Sequence, residues 1–230
     1  MKLLDRFLGT NRVVGKTSFS QCGEDLIIEF ALNEMHIEKP AYLDIGAYHA
    51  SDYSNTYLFY QKGFSGVCVE PDPILFAEIQ KARKRDICLN VGVGFSEASV
   101  AEFYVMSCKT LNTFSKEEAE RYQSYGSHSI EEVVRMPLLP VNTILEKYFT
   151  SCPDFISIDA EGLDLEILNS FDFSKFRPAV FCVETITYTE DRSEQKVEEV
   201  IDVMRSRGYF SYADTYINTI FVETEIWRNR

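Results

Sequence analysis

The sequence predicts an α/β fold: a doubly wound, mostly parallel seven-stranded sheet. Three observations lead there. Short apolar runs alternate with helical patterns, which is the signature of strand-helix-strand units in a parallel sheet. Two of those runs, 41–45 and 66–70, end in acids, Asp44 and Glu70, and Gly46 follows the first. Strand, turn, helix, strand and acid is the layout of a nucleoside-binding site. Open α/β sheets bind ligands beyond the carboxyl ends of their strands. The ends predicted here carry Asp44, Glu70, Asn90, Asp159 and Glu184, all but one of them acids.

The elements follow in order. Residues 1–18 are mixed and basic and read as an N-terminal arm, with a single domain over 19–230. Apolar positions 26, 27, 30, 31 and 35 predict a helix over 25–35, broken at Lys39-Pro40 because proline disfavours a helical residue before it. Strand 41–45 leads to a helix over 54–62, with Ser54 as N-cap and Gly63 as its stop. Strand 66–70 leads to a helix over 71–85, opened by Pro71 or Pro73 in its first turn. Strand 87–91 precedes Gly92-Val93-Gly94, and the alternating stretch 99–106 is an extra strand. Residues 107–132 are polar, and 133–141 is strand-like but interrupted by Pro137 and Pro140. A helix over 142–149, a strand over 154–159, a helix over 162–171 and a strand over 178–184 come next. The helix 197–207 stops at Gly208, and 209–212 with 218–222 form a terminal antiparallel pair.

Composition narrows the partners. The 230 residues are 45% hydrophobic and 26% charged, ordinary for a globular protein. A net charge of −13 repels a phosphate polymer, so nucleic acid is not expected as a substrate. No apolar run reaches the roughly 18 residues of a membrane span, and the N-terminus is too short and charged for a secretion signal. Cysteines 22, 68, 88, 108, 152 and 182 form no C-x-x-C pair, which points to a reducing cytoplasm without a disulfide framework.

The loop after the first strand discriminates between cofactors. A dinucleotide site needs G-x-G-x-x-G, because glycines let the backbone approach a pyrophosphate. Here the loop reads Gly46-Ala47-Tyr48-His49-Ala50-Ser51, with one glycine and two bulky rings where the pyrophosphate would lie. S-adenosylmethionine carries no phosphate, and its sulfonium suits a loop flanked by carboxylates. Glu70 can accept hydrogen bonds from ribose hydroxyls in either case, so the loop decides for the methyl donor.

Several segments carry a resemblance. SFSQCGEDL at 18–26, YLDIGA at 42–47, SNTYLFY at 54–60, VEPDP at 69–73, FISIDAEGLD at 155–164 and VET at 183–185 resemble the FkbM-type methyltransferase family, in the family's order over 18 to about 222. The family more often has valine where this chain has Ala160. The resemblance implies a class I, Rossmann-like S-adenosylmethionine-dependent methyltransferase, usually acting on oxygen of sugars or polyketide-type natural products. The segment around 107–140 matches least and is expected to hold the substrate.

Roles follow from position and resemblance. Asp44 and Gly46, with Tyr48 in the same loop, are expected at the methionine end. Glu24 is the candidate for the amino group, and Asn55 or Thr56 for the carboxylate. Glu70 takes the ribose. Asp72 takes the adenine edge or a helix start, and Asn90 with Val91 flank the adenine. Methyl transfer needs an aligned acceptor oxygen and a base for its proton; Asp159, Glu161, Glu184 and His49 are the candidates, with His128 a further one. Asp159 also lies where the methyl should emerge beside the cofactor. Asp159 and Glu184 could together hold Mg²⁺, a cation that prefers oxygen ligands, but the favoured reading has no metal, and the histidines lack zinc spacing. Phe114, Tyr122 and Tyr125 either stack on a sugar or pack a lid. The expectation is an O-methyltransferase with a small-molecule or glycan acceptor. An NAD-dependent oxidoreductase or epimerase is the first alternative, disfavoured by the missing glycines and the lack of a Tyr-x-x-x-Lys pair; a non-catalytic cofactor-binding module of the same fold is the second.

Overall fold

The computed structural model describes residues 15–95, 99–186, 189 and 193–230, so the predicted arm lies outside them up to residue 14. In chain order the elements are α1 (Glu24–Glu34), β1 (Tyr42–Ile45), α2 (Tyr57–Gln61), β2 (Gly66–Val69), α3 (Pro73–Ala82), β3 (Ile87–Leu89), β4 (Gly92–Gly94) and β5 (Ser99–Met106). A 3₁₀ turn (Lys109–Leu111), α4 (Lys116–Ser124), β6 (Ile130–Pro140), α5 (Val141–Tyr148), β7 (Phe155–Ile158) and α6 (Asp164–Ser170) follow. The chain closes with β8 (Val180–Glu184), α7 (Glu198–Ser206), β9 (Tyr209–Asp214), β10 (Asn218–Glu223) and α8 (Thr224–Arg228). No helix among the described residues is long and apolar enough to cross a membrane.

Seven strands form the main sheet in the order β3-β2-β1-β7-β8-β10-β9. The first five are parallel; β10 runs antiparallel to both β8 and β9. The strand order reverses at β1, between β2 and β7, which is where a doubly wound sheet opens a crevice. Alternation along each strand sends its side chains to two cores. Leu43, Ile45, Ile156 and Phe181 meet Ile144, Ile167 and Met204 of α5, α6 and α7. Tyr42, Phe155, Cys182 and Ile220 meet Ile28, Ala31 and Leu32 of α1. Both faces are therefore covered, which is why the central strands read as continuous apolar runs.

Three elements differ from the sequence expectation. The helix expected from Ser54 begins only at Tyr57, because the Ser54 hydroxyl accepts the amides of Thr56 and Tyr57 at 3.3 and 3.1 Å and shapes a turn there. The polar stretch after Met106 contains α4, capped by Ser115, whose hydroxyl accepts the Glu118 amide at 3.2 Å. The strand interrupted by prolines is instead the full-length β6, paired with β5 along its length and with β4 only over Leu138 to Pro140. Pro137 thus sits where β6 has one partner strand, and its missing amide costs no ladder bond on the other side.

Under the tips of β1 and β2 lies a fully buried Arg83. Its Nε donates to Asp86 at 2.7 Å, its Nη2 to Thr56 Oγ1 at 2.8 Å and to Tyr42 Oη at 3.2 Å, and its Nη1 lies 3.8 Å from Asp44. Thr56 Oγ1 donates in turn to Asp44, and Asp86 accepts the Gly66 amide at 2.9 Å. One guanidinium therefore ties together β1, β2, the turn before α2 and the end of α3. Removing one partner of such a buried pair strands the others without compensation. Arg83→Met is expected to lower unfolding free energy by about 3–5 kcal/mol, read as a shift of the urea midpoint; an unchanged midpoint would remove the network from the list of what holds these tips.

Candidate functional site

At the carboxyl ends of β1, β2, β7 and β8 a cleft of about 940 Å³ opens. The β1 tip supplies Gly46 and Tyr48, the β2 tip Glu70 and Pro71, the β7 tip Asp159 to Glu161, and β8 supplies Glu184. Leu75, Val91, Val93, Phe103 and Phe114 form an apolar wall. The segment between β5 and β6 brings Lys109, Thr110 and Asn112 to the same cleft. It is anchored there: Asn112 Nδ2 donates to Asp72 at 3.0 Å, and the Thr113 hydroxyl donates to the Glu161 carbonyl at 3.0 Å.

Backbone geometry sets the loop after β1. Gly46 has φ +76, and a Cβ built there would meet the Asp159 carbonyl oxygen at 1.8 Å. No side chain fits that position. Tyr48 follows with φ +53, an uncommon conformation for a residue with a side chain. Its amide donates to Glu70 at 2.8 Å, and the other Glu70 oxygen accepts the Asp72 amide at 2.7 Å. Burial pushes the Glu70 carboxyl up to about 8, against these two amides.

Three carboxylates converge opposite. Asp159, Glu161 and Glu184 present oxygens that all lie within 4.8 Å of one another. Among the described residues none of the three carboxylate groups takes a hydrogen bond or an ion pair. Desolvation, then Asp164 and Asp44, pushes Asp159 up to about 7; desolvation and then Asp159 raise Glu161 and Glu184 well above the usual carboxylate range. Glu161 holds φ +47, a strained backbone of the kind found at functional sites. Such a cluster can hold positive charge: a sulfonium, an ammonium or a hard divalent cation on three oxygens.

The remaining sequence candidates stand apart from the cleft lining. Asp44, Asn55 and Thr56 are buried beneath it, Asp44 and Thr56 in the Arg83 network and Asn55 donating to Ser157 Oγ at 3.0 Å. Glu24 accepts Thr215 Oγ1 at 2.6 Å and Asn218 Nδ2 at 3.2 Å, and Asn218 Oδ1 is a buried acceptor with no partner among the described residues. Asp72 caps α3 by accepting the Ile74 amide at 2.8 Å. Asn90 Nδ2 donates to the carbonyls of Glu70 and Pro71, at 3.0 and 2.9 Å, and braces the β2 tip. His49 Nδ1 accepts the Asp52 amide at 3.0 Å and closes a turn. Tyr122 is buried against Tyr104, Met106 and Leu111, whereas Phe114 reaches the cleft. Arg83, Tyr53 and Lys109 were not singled out from sequence. Arg83 lies in the basic run Lys81-Ala82-Arg83-Lys84-Arg85 at the end of α3, where nothing in the sequence distinguishes a buried guanidinium from a surface one.

A family model, the methyltransferase FkbM domain, matches residues 44–211. The chain belongs to the FkbM methyltransferase family. It is thereby an S-adenosylmethionine-dependent methyltransferase, and the matched residues span the sheet described above from β1 into β9. No curated protein matches the sequence. Among solved structures, the Burkholderia thailandensis 1,6-didemethyltoxoflavin-N1-methyltransferase, with bound 1,6-didemethyltoxoflavin and S-adenosylhomocysteine, is 9% identical, with 87% of this chain and 76% of that one covered and a TM-score of 0.44. Precorrin-6y C5,15-methyltransferase from Geobacter metallireducens is 12% identical, with 93% and 94% covered and a TM-score of 0.42. The T. thermophilus 16S rRNA N2 G1207 methyltransferase, in complex with AdoMet and guanosine, is 12% identical, with 92% and 44% covered and a TM-score of 0.43.

The cleft's chemistry fits the cofactor of this family. Its charged side chains are acids except Lys109, which is itself paired with Glu131 at 2.7 Å. That set suits a cationic sulfonium, and the apolar wall suits an adenine. A pH effect follows. An acid whose folded pKa is raised costs stability as pH climbs from its unfolded value near 4 through its folded value, here about 7 for Asp159. Asp159→Asn is expected to raise the melting temperature of the ligand-free protein at pH 8 and to leave it nearly unchanged at pH 5. Equal shifts at both pH values would contradict the raised carboxyl.

Proposed function

We propose that this methyltransferase acts on oxygen: a hydroxyl of a sugar, a glycan or glycolipid precursor, or a natural product, within one catalytic domain over 19–230. The observation that carries this reading is the unpartnered trio Asp159, Glu161 and Glu184 in the same cleft as Glu70. Its six unpaired cysteines agree with a reducing cytoplasm, and its charge of −13 with a small acceptor rather than nucleic acid.

Bound S-adenosylmethionine supplies an electrophilic methyl on a sulfonium. Glu70 would accept hydrogen bonds from the ribose hydroxyls, and Val91 and Leu75 would flank the adenine. Gly46 and Tyr48 would bring the β1 loop against the methionine portion. The buried Asp44 and Thr56 brace β1 from below through Arg83, Asn55 holds Ser157 of β7, and Glu24 ties α1 to Thr215 and Asn218. Asp159, Glu161 and Glu184 would orient the acceptor hydroxyl in line with the methyl and take its proton, with Asp159 as the first candidate base. A carboxyl near pKa 7 is matched to that task at neutral pH. His49 has its Nδ1 committed to backbone amides, so the proton is assigned to the carboxylates.

Calorimetry tests the cofactor arrangement. S-adenosylhomocysteine is expected to bind, and Glu70→Ala to weaken it at least tenfold, about 1.4 kcal/mol. Preferential binding of NAD would overturn the arrangement. The trio is read here as binding an organic cation and a hydroxyl rather than a metal. Methyl transfer is therefore expected to survive excess EDTA, and loss of transfer restored by Mg²⁺ would replace the base by a metal centre.

A further inference from the structure

Beyond the cofactor cleft lies a second cavity of about 430 Å³. Glu161 and Glu184 line both spaces, so these two side chains form the partition between them. The far side has a floor of Leu165, Ile186, Val197 and Val200. Its polar rim is made of Glu118, Tyr122, Asp164 and the partition itself. No lysine or arginine lines it among the described residues, and Glu118 is already held by Arg121 at its edge.

We propose that this cavity is the acceptor subsite, and that it takes an uncharged or amine-bearing sugar ring and rejects phosphorylated or carboxylated ones. The inference rests on the methyltransferase reading and adds to it where the acceptor sits and which charge it carries. Carboxylates accept hydrogen bonds from vicinal hydroxyls or from an ammonium, and an apolar floor covers the C–H face of a ring. A hydroxyl held at the partition faces the cofactor cleft across Glu161 and Glu184, which among the described residues are the two that line both spaces. An anionic ring would bring its charge among Glu118, Glu161, Asp164 and Glu184 with no cation lining the cavity among the described residues, and desolvating a charge without a partner is costly.

The test uses the full chain saturated with S-adenosylhomocysteine and saturation-transfer NMR with three probes: methyl glucoside, glucosamine and glucuronate. The neutral and amino probes are expected to bind and the anionic one not. Leu165→Trp, which fills the cavity from its floor, is expected to abolish probe binding while S-adenosylhomocysteine affinity stays within twofold; Val197→Phe provides the same readout should the first variant fail to fold. Binding of glucuronate as strong as that of the neutral probe, no binding of any probe, or probe binding unaffected by the filling variants would overturn the subsite. Failure of wild-type protein to bind S-adenosylhomocysteine would instead overturn the cofactor reading on which it stands.

Discussion

The tips of β1 and β7 touch backbone to backbone, and the site depends on that contact. The Asp159 amide donates to the Ile45 carbonyl at 3.0 Å, and the Asp159 carbonyl occupies the space where a Cβ on Gly46 would be. The amides of Gly46 and Ala47 donate to the Val69 carbonyl at 3.0 and 3.1 Å, so the β2 tip is drawn into the same knot. Glu70 and Asp159, two of the acids lining the cleft, are therefore carried on strand tips whose relative position is set by main-chain contacts. The Arg83 network supports this knot from beneath through Asp44 and Thr56. Glycine is required at position 46 by lack of space as much as by its positive φ.

The second constraint is electrostatic. The protein gathers Glu70, Asp159, Glu161 and Glu184 in one partly desolvated cleft, without an ion pair on the last three among the described residues. Like charges brought together in low dielectric raise one another's proton affinity. Such an arrangement is costly in the empty protein and is relieved by a cation. A sulfonium cofactor meets that condition, and it loses its positive charge when the methyl leaves. The same acids thus favour the charged donor over its neutral product, which is a route to product release that needs no moving part.

Much of this was legible in the sequence. The parallel strands announce themselves as apolar runs because both faces of the sheet are covered, and four acids mark strand ends because strand ends are where the chain leaves the core. Gly46, Tyr48, Glu70, Val91, Asp159, Glu161 and Glu184 line the cleft, as a reading by strand tip alone suggests. Asp44, Asn55 and Thr56 were placed in the same neighbourhood, but sequence could not tell an acid facing the ligand from one facing a buried arginine. That distinction belongs to Arg83, which is distant in sequence and reaches back from the end of α3. The segment between β5 and β6 was opaque for a different reason. Its strand carries prolines that a propensity argument rejects, and they are tolerated only because β4 is too short to pair along all of β6. The second cavity has no sequence signature, because its floor comes from α6, α7 and the end of β8 at once.

The most direct measurement is a crystal structure of the protein with S-adenosylhomocysteine. The ribose hydroxyls should lie within hydrogen-bond reach of Glu70, and the sulfur should face the partition formed by Glu161 and Glu184, beside Asp159. A sulfur turned toward Lys109, with Glu70 still engaged only by the amides of Tyr48 and Asp72, would contradict the claim that these acids are arranged around the reacting methyl.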